Sequence, residues 1–91
     1  MFFSKIWNAV YMAWVYILIS RKNNRYYIGS TSDLKRRLFE HTNGYSKATR
    51  YLRPLEVAFT KEFPVLQEAR QEERRLKRLK RKDYIDLYIS G

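Results

Sequence analysis

An uninterrupted apolar run and the polar break after it are the clearest features of the first third of the chain. Residues 14–20 read Trp-Val-Tyr-Ile-Leu-Ile-Ser, and a run this rich in β-branched and aromatic side chains predicts a strand covered on both faces. Residues 21–25 are polar, and the pair Asn23-Asn24 tolerates the positive φ of a tight turn. Residues 26–29 are therefore expected to return antiparallel to the first strand.

The pairing within this hairpin decides which face each tyrosine occupies. If Asn23 and Asn24 are the two turn residues, Tyr27 lies opposite Ser20. Side chains alternate between the faces of a sheet, so Tyr27 then shares a face with Tyr16. The sequence thus predicts two tyrosines from separate strands on one surface.

The next element is a short helix with clear signals at both ends. Residues 30–33, Ser-Thr-Ser-Asp, are good N-cap residues, and a helix is expected from about Asp33 to Thr42. Asn43-Gly44 is a typical C-terminal signal. Leu34 and Leu38 are four residues apart, which predicts that they form the buried side of the helix.

The remainder of the chain is predicted to contain a loop, one strand and two helices. A polar loop at 44–54 precedes a third strand at 55–63. Pro64 opens a second helix that is expected to end near Arg81, and residues 82–90 form a third helix. The residues expected to face inward from this last helix are Tyr84, Ile85 and Tyr88. The order β-β-α-β-α-α predicts an α+β fold, a small antiparallel three-stranded sheet flanked by helices.

The length of the chain fits one domain. With 91 residues, residues 12–91 are expected to form a single domain and residues 1–11 an N-terminal extension of uncertain order. The apolar run from Ile6 to Ile19 is shorter than the roughly 20 residues that span a bilayer. It lacks a cleavage site of small residues, so no targeting segment is predicted and the expected location is the cytoplasm.

The composition excludes several classes of functional site and favours one kind of partner. Cysteine is absent, which excludes a disulfide scaffold, a zinc knuckle and a thiol nucleophile. The formal net charge is +10, and residues 70–82 contain eight Lys or Arg against two acids. A solvated helix face explains such a run taken alone, but with this net charge a phosphate-binding surface is favoured. Nucleic acid is the first expected partner, ahead of an anionic membrane surface.

Two carboxylates interrupt the apolar stripe of the second helix. Glu72 and Glu73 fall among Ala69, Leu76 and the other apolar positions of that stripe. A carboxylate there costs free energy unless it is paired or binds a metal. An ion pair to Arg37 or to a neighbouring lysine is one interpretation, and a metal ligand at the edge of a cleft is the other.

The other candidate residues indicate little about function when each is taken alone. His41 alone is more often a structural or surface histidine than a catalyst, and Tyr16 and Tyr27 alone are more often core aromatics. A metal site built from several histidines is impossible because the chain has one. Nothing indicates an activated serine.

Short motifs follow one another at fixed spacings between Trp14 and Ile89. In chain order they are Trp14-Val15-Tyr16, Tyr27-Ile28-Gly29 with Ser30-Thr31, Asp33-Leu34-x-x-Arg37-x-x-x-His41, Asn43-Gly44, Lys47-x-Thr49-Arg50, Arg53-Pro54 and Glu68-Ala69-x-x-x-Glu73-x-x-x-Lys77. The series resembles the GIY-YIG nuclease superfamily, specifically its small single-domain branch related to the N-terminal nuclease module of bacterial excision-repair proteins. One departure is Trp14, which stands where the first motif has glycine.

The resemblance implies a metal-dependent endonuclease that hydrolyses DNA phosphodiester bonds, in a setting such as DNA repair. It implies that Tyr16 acts as general base, directly or through a metal-bound water, and that Tyr27 orients the water or the phosphate. It further implies that Arg37 binds the phosphate, that His41 contacts the phosphate or transfers a proton, and that Glu73 holds one Mg²⁺ or Mn²⁺ ion.

The expected DNA-binding residues are basic side chains of the central loop and the second helix. They are Lys47, Arg50, Arg53, Arg70, Arg74, Lys77, Arg78 and Arg81. A protein partner that supplies substrate choice is also considered, because a single domain has no second DNA-reading module. The alternative function is a nucleic-acid-binding module that keeps the nuclease fold and cuts little or not at all.

Overall fold

The structure is a computed structural model that describes residues 12–91. The predicted extension 1–11 lies outside the described residues. The elements follow the predicted order: β1 (Ala13–Ser20), β2 (Tyr26–Thr31), α1 (Leu34–Thr42), β3 (Leu55–Phe63), α2 (Leu66–Leu79) and α3 (Lys82–Ser90), with a single 3₁₀ turn at Arg50–Leu52. The predicted α+β fold is confirmed.

The strands form one antiparallel sheet in the order β2-β1-β3. The central strand β1 pairs with a neighbour on each side, and its residues from Val15 to Leu18 are all buried. This matches the prediction of a strand covered on both faces. Both β2 and β3 are edge strands, and the candidate site described below lies at the free edge of β2.

The hairpin turn is longer than predicted. Ser20 N–H donates to the carbonyl of Arg25 at 2.9 Å, and Tyr27 pairs with Leu18 rather than with Ser20. The Ser20 hydroxyl oxygen accepts the backbone N–H of Lys22 at 3.1 Å, which stabilises the longer turn. The register is shifted by two residues, so every side chain keeps its face. The predicted pairing is wrong, and the predicted common face of the two tyrosines is right.

Helix α1 begins as expected, with the Asp33 carboxylate accepting the backbone N–H of Arg36 at 3.1 Å. Its buried side differs from the prediction. Leu34 and Leu38 are only half-buried, whereas His41 is 1% exposed and is the one buried residue of the helix. The helix therefore packs through a polar group that needs hydrogen-bond partners.

Helices α2 and α3 meet at a sharp corner. Lys80 takes a left-handed conformation with φ 54°, so α2 ends at Leu79, two residues before the predicted end. Pro64 lies just before the helix instead of in its first turn. Tyr84 was expected to face inward, but it is exposed, and the Arg81 guanidinium lies 4.5 Å from its ring centre.

The sheet is covered on both faces. Ala69, Leu76 and Ile85 of α2 and α3 pack on the face that carries Val15 and Ile17, and together they form the hydrophobic core. The opposite face, which carries Tyr16 and Tyr27, is contacted by His41 of α1 and by Leu52 of the loop after it. Within residues 12–91, no helix has the length and apolar character needed to cross a bilayer.

Candidate active site

Tyr16 extends from the central strand across its neighbour. It pairs with Gly29 of β2, and its ring lies directly over that glycine. A Cβ atom at position 29 would lie 3.0 Å from Cε1 of Tyr16 and still closer to Cζ and the phenol oxygen. Glycine is therefore required here for the close approach of the ring, and it lets the phenol reach toward the free edge of β2.

A chain of hydrogen bonds holds this phenol in place. Tyr16 Oη lies 2.9 Å from Nε2 of His41, and Nδ1 of His41 lies 2.6 Å from Oγ1 of Thr49. All three side chains are buried, with exposed fractions of 1% or less. Both ring nitrogens of His41 are thus engaged, and the orientation of the imidazole is fixed from both sides.

Burial keeps the first two members of this chain neutral. It raises the pKa of Tyr16 to about 12, and it lowers the pKa of His41 to about 4. At neutral pH the phenol therefore keeps its proton and the imidazole is uncharged. We assign the Tyr16 hydroxyl as donor to Nε2, which leaves the ring proton on Nδ1 to be donated to Thr49.

Tyr27 completes a cluster of three rings. Its ring centre lies 5.2 Å from that of His41 and 6.4 Å from that of Tyr16, and the Tyr16 and His41 centres are 5.4 Å apart. Tyr27 is half-buried, in contrast to the other two rings. The structure thus brings together the three aromatic residues of the predicted site.

Arg37 lies one helical turn before His41 on α1. Its guanidinium pairs with Glu40 at 2.7 Å, and the side chain stays partly exposed. Burial has the larger effect on Tyr16, but the positive charge of Arg37 acts to lower its pKa, and the same charge adds to the effect of burial in lowering the pKa of His41. The arginine is therefore close to both buried groups and still accessible from solvent.

Glu73 approaches the same edge of the sheet from α2. The hydroxyl of Ser30 donates to its Oε1, and the ammonium group of Lys77 contacts Oε2 at 2.6 Å. Burial is the main cause of the raised pKa of Tyr16, and the negative charge of Glu73 adds to it. The ion-pair partner of Glu73 is therefore a neighbouring lysine and not Arg37, the other partner that the sequence suggested.

Glu72 has a different environment although it is adjacent in sequence. Its carboxylate accepts two hydrogen bonds from Arg75, at 2.9 and 2.7 Å, and one from the Tyr88 hydroxyl at 2.7 Å. The hydrogen bonds from Arg75 are the largest cause that lowers the pKa of Glu72 to about 2. Glu72 thus ties α2 to α3.

The donor set around Glu73 fits one hard cation. Across residues 12–91, no group of three or more His, Cys, Asp or Glu side chains is arranged to hold a metal. A single carboxylate is nevertheless a usual protein contribution to Mg²⁺, which keeps several waters and takes further oxygens from phosphate. The contact with Lys77 is partly exposed, so the ammonium group can move from Oε2 at small cost.

The predicted DNA-binding residues fall on three surfaces. Lys47, Arg50 and Arg53 belong to the loop after α1, where Arg50 donates to the Gly44 carbonyl at 3.0 Å. Lys77 and Arg81 lie beside the α2–α3 corner. The third set is exposed on the outer side of α2 and comprises Arg70, Arg74 and Arg78.

The comparison with known proteins identifies the family. The family model described as the GIY-YIG catalytic domain matches residues 12–85. The chain belongs to the GIY-YIG family. This places the ring cluster, Arg37 and Glu73 inside the segment that the family shares.

The relatives are small proteins that carry family designations only. The chain is 37% identical to the UPF0213 protein YazA of Bacillus subtilis over 75 residues, which cover 81% of this chain and 75% of that protein. It is 40% identical to a UPF0213 protein of Streptococcus pneumoniae over 70 residues, covering 76% and 70%. A solution NMR structure of a UPF0213 protein from Bacillus halodurans matches with a TM-score of 0.54 and 33% identity, over 85% of this chain and 82% of that one.

Two residues of the site were missed from the sequence. Gly29 was part of a motif, but its contact with Tyr16 depends on cross-strand pairing. Thr49 was also part of a motif, Lys47-x-Thr49-Arg50, and the signal that could have found it is a hydroxyl in a loop that must pair with a buried histidine. The predicted catalytic and metal-binding residues lie around the edge of β2, and the predicted DNA-binding residues lie on the three surfaces described above.

Proposed function

We propose that this protein is a metal-dependent endonuclease that hydrolyses DNA phosphodiester bonds. The observation that carries the proposal is the convergence of the Tyr16, Tyr27 and His41 rings with Arg37 and Glu73 at the free edge of β2. The net charge of +10 attracts a polyanionic substrate to this small domain. Family membership supports a nuclease-type fold, and the residues at the site are suited to phosphate chemistry.

The hydrogen-bond chain favours proton transfer through Tyr16. A phenol with a pKa of about 12 is protonated at neutral pH and cannot act as a base while it keeps that proton. In the proposed step, Tyr16 passes its proton to Nε2 of His41 as it takes one from the attacking water. The new bond joins the water oxygen to phosphorus, and the bond to the leaving oxygen breaks. The negative charge of a bound phosphate would assist by favouring the protonated imidazole.

The partly exposed residues have the complementary task. Arg37 would exchange Glu40 for a phosphate oxygen and stabilise the charge that develops there in the transition state. Tyr27, half-buried against His41, would orient the water or the phosphate. Glu73 would hold Mg²⁺ or Mn²⁺ through Oε2, and the ion when bound supplies charge neutralisation at the phosphate and leaving group.

The proposal is tested by incubating the purified protein with single-stranded, double-stranded, nicked and branched DNA and with RNA, each with Mg²⁺, Mn²⁺ or EDTA. Cleavage of DNA that requires a divalent ion is expected. Glu73→Gln is expected to abolish cleavage, whereas Glu68→Gln is the matched control because Glu68 is exposed on the same helix. Binding to every substrate without cleavage under any condition would replace the endonuclease by the alternative, a binding module.

A further inference from the structure

A basic groove extends from the candidate site along the free edge of β2. It has a volume of about 570 Å³ and lies between residues 23–28 and the α2–α3 corner. We call it the hairpin groove. Its volume falls within the range of about 300–1,000 Å³ that is typical of pockets for small molecules.

The charged residues that line the hairpin groove are all positive. Its lining includes the cations Arg25, Lys77, Lys80, Arg81 and Lys82 and contains no Asp or Glu. Lys77, Arg81 and Lys82 each have an acidic partner outside the lining. Among the described residues, Arg25 and Lys80 form no ion pair. An anion is therefore the expected occupant.

The floor of the groove is apolar. Ile28 and Ile85, 8% and 5% exposed, lie over the fully buried Leu76, and the half-buried Tyr26 and Tyr27 also line the groove. An apolar floor under a cationic rim suits a nucleotide, whose planar base is apolar on both faces and whose phosphate is anionic. A base within a duplex has both faces stacked on its neighbours and cannot enter, so the nucleotide must be unpaired.

Two residues connect the groove with the candidate active site. Tyr27 lines the groove, and its ring lies beside that of His41, with ring centres 5.2 Å apart and planes inclined by 60°. Lys77 also lines the groove, and its ammonium group contacts Glu73 at 2.6 Å. A strand whose phosphate lies at the site can therefore continue into the groove without leaving the surface.

We propose that the hairpin groove binds one unpaired nucleotide of a DNA strand, next to the phosphate held at the candidate active site. This inference rests on the proposed function for the phosphate, but the groove and its charge stand without any cleavage. The same edge of β2 is open to pairing with an extended acidic peptide. The apolar floor favours the nucleotide, because peptide pairing along a strand edge does not need it.

Photo-crosslinking tests the position of the base. A short oligothymidylate with one 5-iodo-deoxyuridine is irradiated with the full chain in EDTA, and the crosslinked peptides are identified by mass spectrometry. Crosslinks within residues 23–28 or 76–85 are expected. Crosslinks confined to the outer side of α2 or to the loop 44–54 would overturn the proposal.

Binding measurements test the contribution of the base and of the rim. By fluorescence anisotropy in EDTA, an abasic strand of equal length is expected to bind at least about fivefold more weakly than oligothymidylate. Lys80→Asn is expected to weaken single-strand binding about threefold, and asparagine tolerates the left-handed conformation of residue 80. Lys35→Asn is the matched control, since Lys35 is exposed on α1, two residues from Arg37 and on the other side of that helix.

The outcomes separate the groove from the reaction. Equal binding of the abasic and base-containing strands, or equal losses for Lys80→Asn and Lys35→Asn, would refute the groove. The proposal would also be refuted if an oligoglutamate peptide displaced the strand and prevented crosslinking in the groove more strongly than unlabelled oligothymidylate does. Crosslinks in the groove without metal-dependent cleavage would support nucleotide binding there and refute the endonuclease activity. Cleavage without crosslinks in the groove would support the activity and refute nucleotide binding in the groove.

Discussion

Replacing Gly29 by alanine tests the packing on which the whole site depends. The new methyl group would lie 3.0 Å from Cε1 of Tyr16 and nearer still to the end of the ring. The ring is held by the β1 backbone and by its hydrogen bond to His41, so it must move and give up that bond. Overpacking costs about 1–3 kcal/mol and a lost hydrogen bond about 1 kcal/mol, while alanine is worth about 0.5–1 kcal/mol over glycine inside a strand.

The net expectation is a loss of about 2 kcal/mol in the free energy of unfolding. For a domain of this size that corresponds to a fall in Tm of about 8–16 °C. Urea denaturation and thermal melting of Gly29→Ala against the natural chain measure it. Cleavage is expected to fall by more than the folded fraction explains, because Tyr16 no longer contacts His41.

A double-mutant cycle with Tyr16→Leu isolates the cause. Leucine removes the phenol and the end of the ring, so the methyl group at position 29 has room. In that background Gly29→Ala is expected to be neutral or stabilising, through its strand propensity alone. An equal loss of stability in both backgrounds would refute the close approach of Tyr16 as the reason for glycine at this position.

Four further results are expected. Arg37→Ala should lower the single-turnover cleavage rate about 10²-fold while anisotropy shows little loss of DNA affinity; equal losses would make it an ordinary phosphate contact. Arg74→Ala should lower the slope of log affinity against log salt by about one, and an unchanged slope would place residue 74 outside the interface. Because burial lowers the pKa of His41 from 6.5 to about 4, stability is fully present above 6.5 and lost as pH falls toward 4; His41→Gln should remove that dependence in melts at stepped pH. Thr49→Val should cost about 1–3 kcal/mol in urea denaturation by leaving the imidazole N–H unpaired, while Thr49→Ser should restore most of it.

The positions of the helices and strands follow from local sequence signals, whereas the register between paired strands does not. The predicted and observed bounds of β3 are the same, and Asp33 caps α1 as its sequence context predicts. The hairpin turn was misjudged because the Ser20 hydroxyl stabilises a longer turn, a weaker local signal than the Asn23-Asn24 pair on which the prediction was based. Tyr84 was misjudged because a cation covers its ring outside the core.

The candidate site was predictable as a set of residue types and not as a network. Alternation of side chains along paired strands was enough to put Tyr16 and Tyr27 on one face, since a two-residue register error does not change faces. The burial of His41 was not predictable from α1. It depends on Thr49, which a loop brings back to the helix and which satisfies the second ring nitrogen. A buried histidine with one partner would be costly, so the loop is a condition for the site.

The same reasoning explains why two adjacent glutamates on α2 come to differ. One residue of α-helix is a rotation of about 100°, which is enough to direct neighbouring side chains to different elements. Glu72 faces α3, where it accepts the Tyr88 hydroxyl, and Arg75 of its own helix donates to both of its oxygens. Glu73 faces β2, where one oxygen accepts the Ser30 hydroxyl and the other contacts only a partly exposed ammonium group. Helical periodicity alone placed both on the inner stripe. The difference arises from what lies opposite, so it is the sheet edge, through Ser30 and the nearby Tyr16 phenol, that makes Glu73 the carboxylate available to a cation.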